Sequence, residues 1–225
     1  MTEAELEELL NDCPVLYHMA ERDSWKSISK HGLLSTSALL DLYEVNGAER
    51  SSIESSHRPT SNPIESPTLE GAVIRDQKPM SDSSLRKCLN DNLTPSDWYR
   101  MLNSRVFFWL TEERLLRLLG ARAYKNLEHD VLVVNSQSLV ERHYDDIWLC
   151  PMNSGNTRPF PHPRGVSTFQ RIRDYPYKDW RKKRKRGERA VELCVDGGVY
   201  DIVDHVHEVR RMSGAEAIKL IYSAQ

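Results

Sequence analysis

No stretch of the 225 residues is an unbroken apolar run of the about 20 residues that a bilayer span needs, so the sequence predicts no membrane partner. Cysteine is scarce. Cys13, Cys88, Cys150 and Cys194 stand far apart with no CxxC pair, so neither a disulfide framework nor a metal site is expected. Glycine numbers only ten, and neither GxGxxG nor GxxxxGKS/T occurs, which excludes the familiar phosphate-cradling loops. HExxH and GxSxG are missing too, removing the usual metalloprotease and serine-hydrolase signatures. A net charge of −2 leaves no whole-molecule attraction for nucleic acid or anionic lipid, so any such attraction must be local. The acidic opening "MTEAELEELL" lacks the basic start and apolar core of a secretory signal and predicts a cytoplasmic protein with reduced thiols.

What is present fits one globular domain spanning 1–225, with 39% apolar and 28% charged residues. An acidic helix at about 2–11 precedes "CPVLYHMA", a buried first strand with Leu16 and His18 on one face. "SWKSISKHGLL" reads as a short helix with Ser24 as cap and Gly32 as its left-handed terminator. Ser51–Glu70 holds six Ser and three Pro with little apolar content, and a mobile loop is expected at about 46–72. Thr94, Pro95 and Asp97 signal a helix start in "LTPSDWYRML"; "RVFFWL" is a strand; "TEERLLRLLGARAY" is an amphipathic helix capped by Thr111. Five short β-like runs follow: "DVLVV", "IWLC", "STFQRI", "ERAVELCV" and "HVHEV". Helices early and strands late predict an α+β fold rather than alternating βαβ units.

In "ERAVELCV", period-two alternation puts Val191, Leu193 and Val195 on a core face and Ala190, Glu192 and Cys194 on the other. A carboxylate in mid-strand needs a reason. Either Glu192 pairs with one of the many nearby arginines, or it forms the floor of a cleft. Just before it, Arg181, Lys182, Lys183, Arg184, Lys185, Arg186 and Arg189 put seven cations into nine residues, in a basic loop expected at about 177–189. That run is either a solvated charge cluster or a grip on phosphates.

The ordered series "LYHMA", "SISKHGLLS", "VFFWL", "NSGNTRPFPHPRGVSTF" and a basic stretch leading into "RAVELCV" resembles the NAD-dependent ADP-ribosyltransferases, particularly DarT-type toxins that modify nucleic-acid bases. The likeness covers roughly His18 to Val209 and implies a split β-sheet core with N-terminal helices. It implies NAD as co-substrate, with Glu192 catalytic, His18 on the NAD ribose and Phe107 or Phe108 beside the nicotinamide. Arg75 and Arg58 both remain candidates for the pyrophosphate. It further implies a single-stranded DNA or RNA acceptor held by Arg181, Lys182, Lys183, Arg184, Lys185 and Arg186, with Trp180 or Tyr177 stacking on a base. Residues 153–155 and 164–169 are expected near the same cleft. Such an enzyme would act as a toxin of a toxin–antitoxin or phage-defence system, restrained by an antitoxin or other inhibitory partner. Two alternatives stand beside it: a transferase acting on a protein or small molecule, and a non-catalytic nucleic-acid-binding module. Ala190, where protein-directed relatives often carry a second acid or amide, favours a base acceptor.

Overall fold

Local signals start most helices in the computed structural model, which describes residues 1–224. Thr2 accepts from the Glu5 N–H and Glu5 returns the bond to the Thr2 N–H, a reciprocal cap that begins α1 (Glu3–Asp12). β1 (Val15–Glu21) follows, then α2 (Trp25–His31), which ends at Gly32 with φ 91°. A Cβ at Gly32 would stand 2.6 Å from the Tyr200 Cα, so that close approach as well as the dihedral requires glycine. Ser24 precedes α2 without making a side-chain cap bond. Next come β2 (Leu33–Leu34), α3 (Thr36–Leu42) and α4 (Gly47–Ser55).

The expected loop at about 46–72 is therefore partly ordered structure. It contains α4, and β3 (Asn62–Ile64) pairs antiparallel with β4 (Ala72–Ile74). Its few apolar side chains suffice because they are gathered: Ile53 and Ile64 join Leu40, Tyr43 and Ile74 in a small separate cluster. α5 (Asp82–Leu85) leads to α6 (Pro95–Asn103), begun by the reciprocal Thr94–Asp97 cap with proline at its first position. β5 (Arg105–Trp109), α7 (Glu112–Leu119), β6 (Glu128–Asn135), α8 (Ser136–His143) and β7 (Ile147–Cys150) follow. Thr111 precedes α7 but its hydroxyl makes no cap bond and is buried without a partner. "STFQRI" yields only β8 (Gln170–Arg171) between tight 3-10 turns. The chain closes with α9 (Tyr177–Arg181), β9 (Glu192–Asp196), β10 (Gly198–Val199), β11 (Val206–Ser213) and β12 (Glu216–Ser223).

The α+β class holds. Eight strands form one sheet in the order β12-β11-β6-β1-β5-β9-β7-β8, every neighbouring pair antiparallel. One face carries the main core, with Leu16, Phe108, Leu132, Leu149, Leu193 and Val195 packed beneath α1 and α8. The opposite face is not open either: Trp98, Tyr99, Leu85, Phe169 and Cys194 cover the β5–β9–β7 half, and Leu115, Leu119 and Met19 cover the β1–β6 half.

The junction between those halves positions the site. β1 and β6 pair along seven residues, and β5 and β9 along five, but β1 and β5 meet only at Tyr17↔Trp109. Beyond that one pair the strands diverge and leave backbone groups without a ladder. Side chains take them up: His18 Nδ1 lies 2.8 Å from the Phe107 carbonyl, and Arg75 Nη1 donates to the Met19 carbonyl at 2.9 Å.

Candidate active-site cleft

A cavity of about 350 Å³ occupies the gap between the diverging strands, within the range of about 300–1,000 Å³ common for small-molecule sites. Its walls come from His18 to Glu21 on β1, Arg105 to Trp109 on β5, the α2–β2 corner, β4 with Arg75, and the segment Asn153–Gly155. Glu192 lines it as well.

Glu192 is the first residue of β9, not a mid-strand position, and is 4% exposed. It stands opposite Trp109 on one side and Cys150 on the other. Among the described residues no Arg or Lys lies within 4.0 Å of its carboxylate, so the ion-paired alternative fails. Its oxygens instead accept from the Ser154 N–H at 3.1 and 3.2 Å. Burial pushes its pKa up to about 7, against the opposing pull of the bonds from Ser154 and Cys150. A carboxyl that exchanges its proton near neutrality is equipped for acid–base work. Cys194, which alternation put beside it on an open face, is fully buried under the second layer.

Ser154 is itself held from below. Arg164, 2% exposed, donates from Nη1 to the Ser154 carbonyl and from Nη2 to the Asn156 carbonyl, both at 2.9 Å, and from Nε to His162 at 3.1 Å. The segments 153–155 and 164–169 thus do meet at this site, and Arg164 is the residue that joins them. Sequence reading singled out their neighbourhood without finding Arg164's task, because a buried arginine spent on carbonyls looks like any other arginine in a string.

His18 is half-buried, and burial takes its pKa down to about 4, so the ring is neutral. With Nδ1–H donating to the Phe107 carbonyl, Nε2 carries a lone pair free to accept from a ligand hydroxyl. Phe108 is 1% exposed and edge-on to His18 at 5.8 Å, a core residue. Phe107 is half-buried and meets Phe169 edge-on at 6.2 Å, which makes it the aromatic of the pair with surface to offer. Trp109, also lining the cavity and directly across from Glu192, went unremarked in the sequence.

The two arginine candidates differ. Arg58 is 6% exposed and commits every nitrogen: Nε to the Arg75 carbonyl, Nη1 to Ile53 and Nη2 to Asn103 Oδ1. It ties α4, the end of β4 and α6 together; it also lines the cleft, where only the second hydrogens of Nη1 and Nη2 remain for a ligand. Arg75 spends only Nη1, has Glu21 3.6 Å from Nε, and keeps Nη2 uncommitted.

The basic run is not arranged as expected. Part of it is α9, and acids of α1 and α7 neutralise much of it: Arg181 pairs with Glu8, Arg186 with Asp12, Arg189 with both, and Lys185 with Glu113 at 3.8 Å. The acidic first helix and the basic run, read as separate features, are partners. Lys182, Lys183 and Arg184 have no acid within 4.0 Å among the described residues. Trp180 packs against the core, its ring faced by Lys183 at 5.2 Å and Arg184 at 4.6 Å, and Tyr177 is 1% exposed. Neither is a free platform for a base. None of these cations lines the cleft, but Arg184 lines a second cavity of about 450 Å³ with Arg114, Arg158, His162 and Arg164. The two cavities share Asn153.

No helix is long and apolar enough to cross a membrane among the described residues. No curated protein matches the chain. Residues 14–206 match DUF7002, described as a family of unknown function, and the chain belongs to that family.

Proposed function

We propose that the cleft binds NAD and that the chain transfers ADP-ribose to a second substrate, with Glu192 as the catalytic carboxylate. The observation that carries this reading is that the buried Glu192 carboxyl, its pKa pushed up to about 7 by burial, and the neutral His18 ring line one cavity. In this reading His18 Nε2 accepts from a ribose hydroxyl, Phe107 packs on the nicotinamide, and Arg75 Nη2 faces the pyrophosphate.

Cleavage of the bond between ribose C1′ and the nicotinamide nitrogen leaves the bonding electrons with nicotinamide and positive charge on the sugar. A fixed carboxylate stabilises that charge where it develops. The acceptor's nucleophilic atom then bonds to C1′ and loses its proton to Glu192, a transfer typically worth about 10²–10⁴-fold in rate. Burial makes the ionised form costly before the sugar becomes cationic, which favours the transition state over the resting site.

For the acceptor we favour a nucleic-acid base, delivered through the second cavity by phosphate contacts at Arg158 and Arg184 rather than by the whole basic run. The pairing of that run with α1 and α7 speaks against a non-catalytic nucleic-acid-binding module, since few of its cations remain to release counterions. The test is incubation with NAD and mixed single-stranded DNA or RNA oligonucleotides, followed by mass spectrometry. Added ADP-ribose that disappears with Glu192→Gln is the expected result. NAD consumption without oligonucleotide modification moves the acceptor to a protein or small molecule, and intact NAD with every acceptor offered refutes the transferase reading.

A further inference from the structure

Outside the set of residues that line the cleft, the end of α8 meets the turn before β11 at three side chains whose donor atoms all lie within 4.8 Å of one another: His143, Asp201 and His205. His143 Nε2 stands 2.7 Å from Asp201 Oδ1. His205 Nε2 stands 3.7 Å from Oδ2, too far for a hydrogen bond, and is buried with no partner at all on a residue that is 6% exposed.

Ser138 Oγ lies 3.0 Å from His205 Nδ1 and 3.4 Å from the Asn135 carbonyl, so it is placed to accept from Nδ1–H while donating to that carbonyl. In that tautomer the Nε2 lone pair faces the Asp201 carboxylate. His205 Nε2 is buried without a partner beside the partly exposed Asp201 carboxylate, and a cation between them would satisfy both. The ring is also held in place: the His205 carbonyl accepts from the Asn135 N–H at 2.8 Å and its N–H donates to Ile202 at 3.0 Å.

We propose that His143, Asp201 and His205 form a divalent transition-metal site, best suited to Zn²⁺, that clasps α8 to the β10–β11 connection. Two imidazole nitrogens and one carboxylate are a common zinc donor set, with water in the fourth position. Ligands about 2.0–2.1 Å from a tetrahedral zinc lie about 3.3 Å from one another, and the three donor atoms, all within 4.8 Å, reach that spacing by changes of up to about 1.5 Å between pairs. Arg142, whose Nε lies 3.4 Å from Asp201 Oδ2, has a side chain 72% exposed and swings clear into solvent. The expectation of no metal rested on cysteine spacing, whereas this donor set is divided by 58 residues between His143 and Asp201 and assembles only in the fold.

The test uses the full chain, stripped with a chelator and titrated calorimetrically with Zn²⁺ alone. One ion per chain is expected, with binding weakened at least about tenfold by His143→Ala and by Asp201→Asn. His207→Ala, an exposed neighbour outside the donor set, is expected to bind as the parent does. Because a variant that fails to fold would mislead, Zn²⁺ is also followed in the unaltered protein by the ring resonances of His143 and His205, which are expected to shift together at one equivalent. No saturable uptake, or uptake that leaves those two rings unmoved, overturns the proposal.

Discussion

Replacing Glu192 by Gln removes a buried charge while keeping the side chain's shape and an oxygen for the Ser154 N–H. The consequence for stability has a definite sign. A carboxyl whose pKa is 4.5 in the unfolded chain and about 7 in the fold holds its proton more tightly when folded. Below pH 4.5 both states are protonated and the charge costs nothing. Between 4.5 and 7 the unfolded chain releases the proton first, so stability falls as pH rises, and above 7 the full loss is reached. The difference between the two values corresponds to about 3 kcal/mol, from 1.36 kcal/mol for each tenfold change in proton affinity. For a chain of this size that is a gain of about 6–12 °C in Tm for Glu192→Gln at pH 8, shrinking toward zero near pH 4. The assay is urea or thermal unfolding of both proteins across pH 4–9, read as their difference so that other titrating groups cancel. A variant that is less stable than the parent, or whose advantage does not grow with pH, refutes the argument that burial governs this carboxyl. In the proposed reaction the same substitution is expected to abolish transfer, so that the carboxyl would give up stability for activity.

Other predictions concern the scaffold. His18 and His129, both taken down to about 4 chiefly by burial, are neutral in the fold, so stability contributed by each is lost as pH falls from 6.5 through 4; NMR titration of the ring signals checks this. Arg164→Ala strands the Ser154, Asn156 and His162 carbonyls and is expected to cost about 3 kcal/mol in urea unfolding, with little rescue by Lys, whose single ammonium cannot span them. Gly32→Ala meets the Tyr200 backbone and a positive φ together, with an expected loss of about 1–3 kcal/mol measured the same way. If nucleic acid binds through the basic run, its three unpaired cations limit that run's contribution to the salt slope for single strands to about 2.

Elements with strong local signals were legible in the sequence: the Thr94-Pro95-Asp97 cap, the glycine stop after α2, and the apolar runs of β5 and β6 appear where their residues put them, whereas β9 begins only at Glu192. Segments stabilised by distant partners were not. α4 looked too polar to fold because Ile53 finds its companions on α3, β3 and β4. The basic run looked like a ligand grip because its counter-charges sit some 170 residues earlier, at Glu8 and Asp12. Glu192 was findable, since an acid at a strand position demands a reason, but its two covered faces and its Ser154 partner depend on which strands become neighbours. A choice between Arg58 and Arg75 likewise required seeing which nitrogens the backbone had already claimed.

The proposed NAD site is the gap between β1 and β5, with Glu192 as the carboxylate at the reacting bond. Its most direct measurement is calorimetric titration of NAD into Glu192→Gln, which keeps the cleft but not the chemistry, alongside the same variant with His18→Ala added. One-to-one binding of intact NAD, lost in the double variant, is the predicted result. No heat of binding up to millimolar NAD in the single variant rules out a NAD site in this gap.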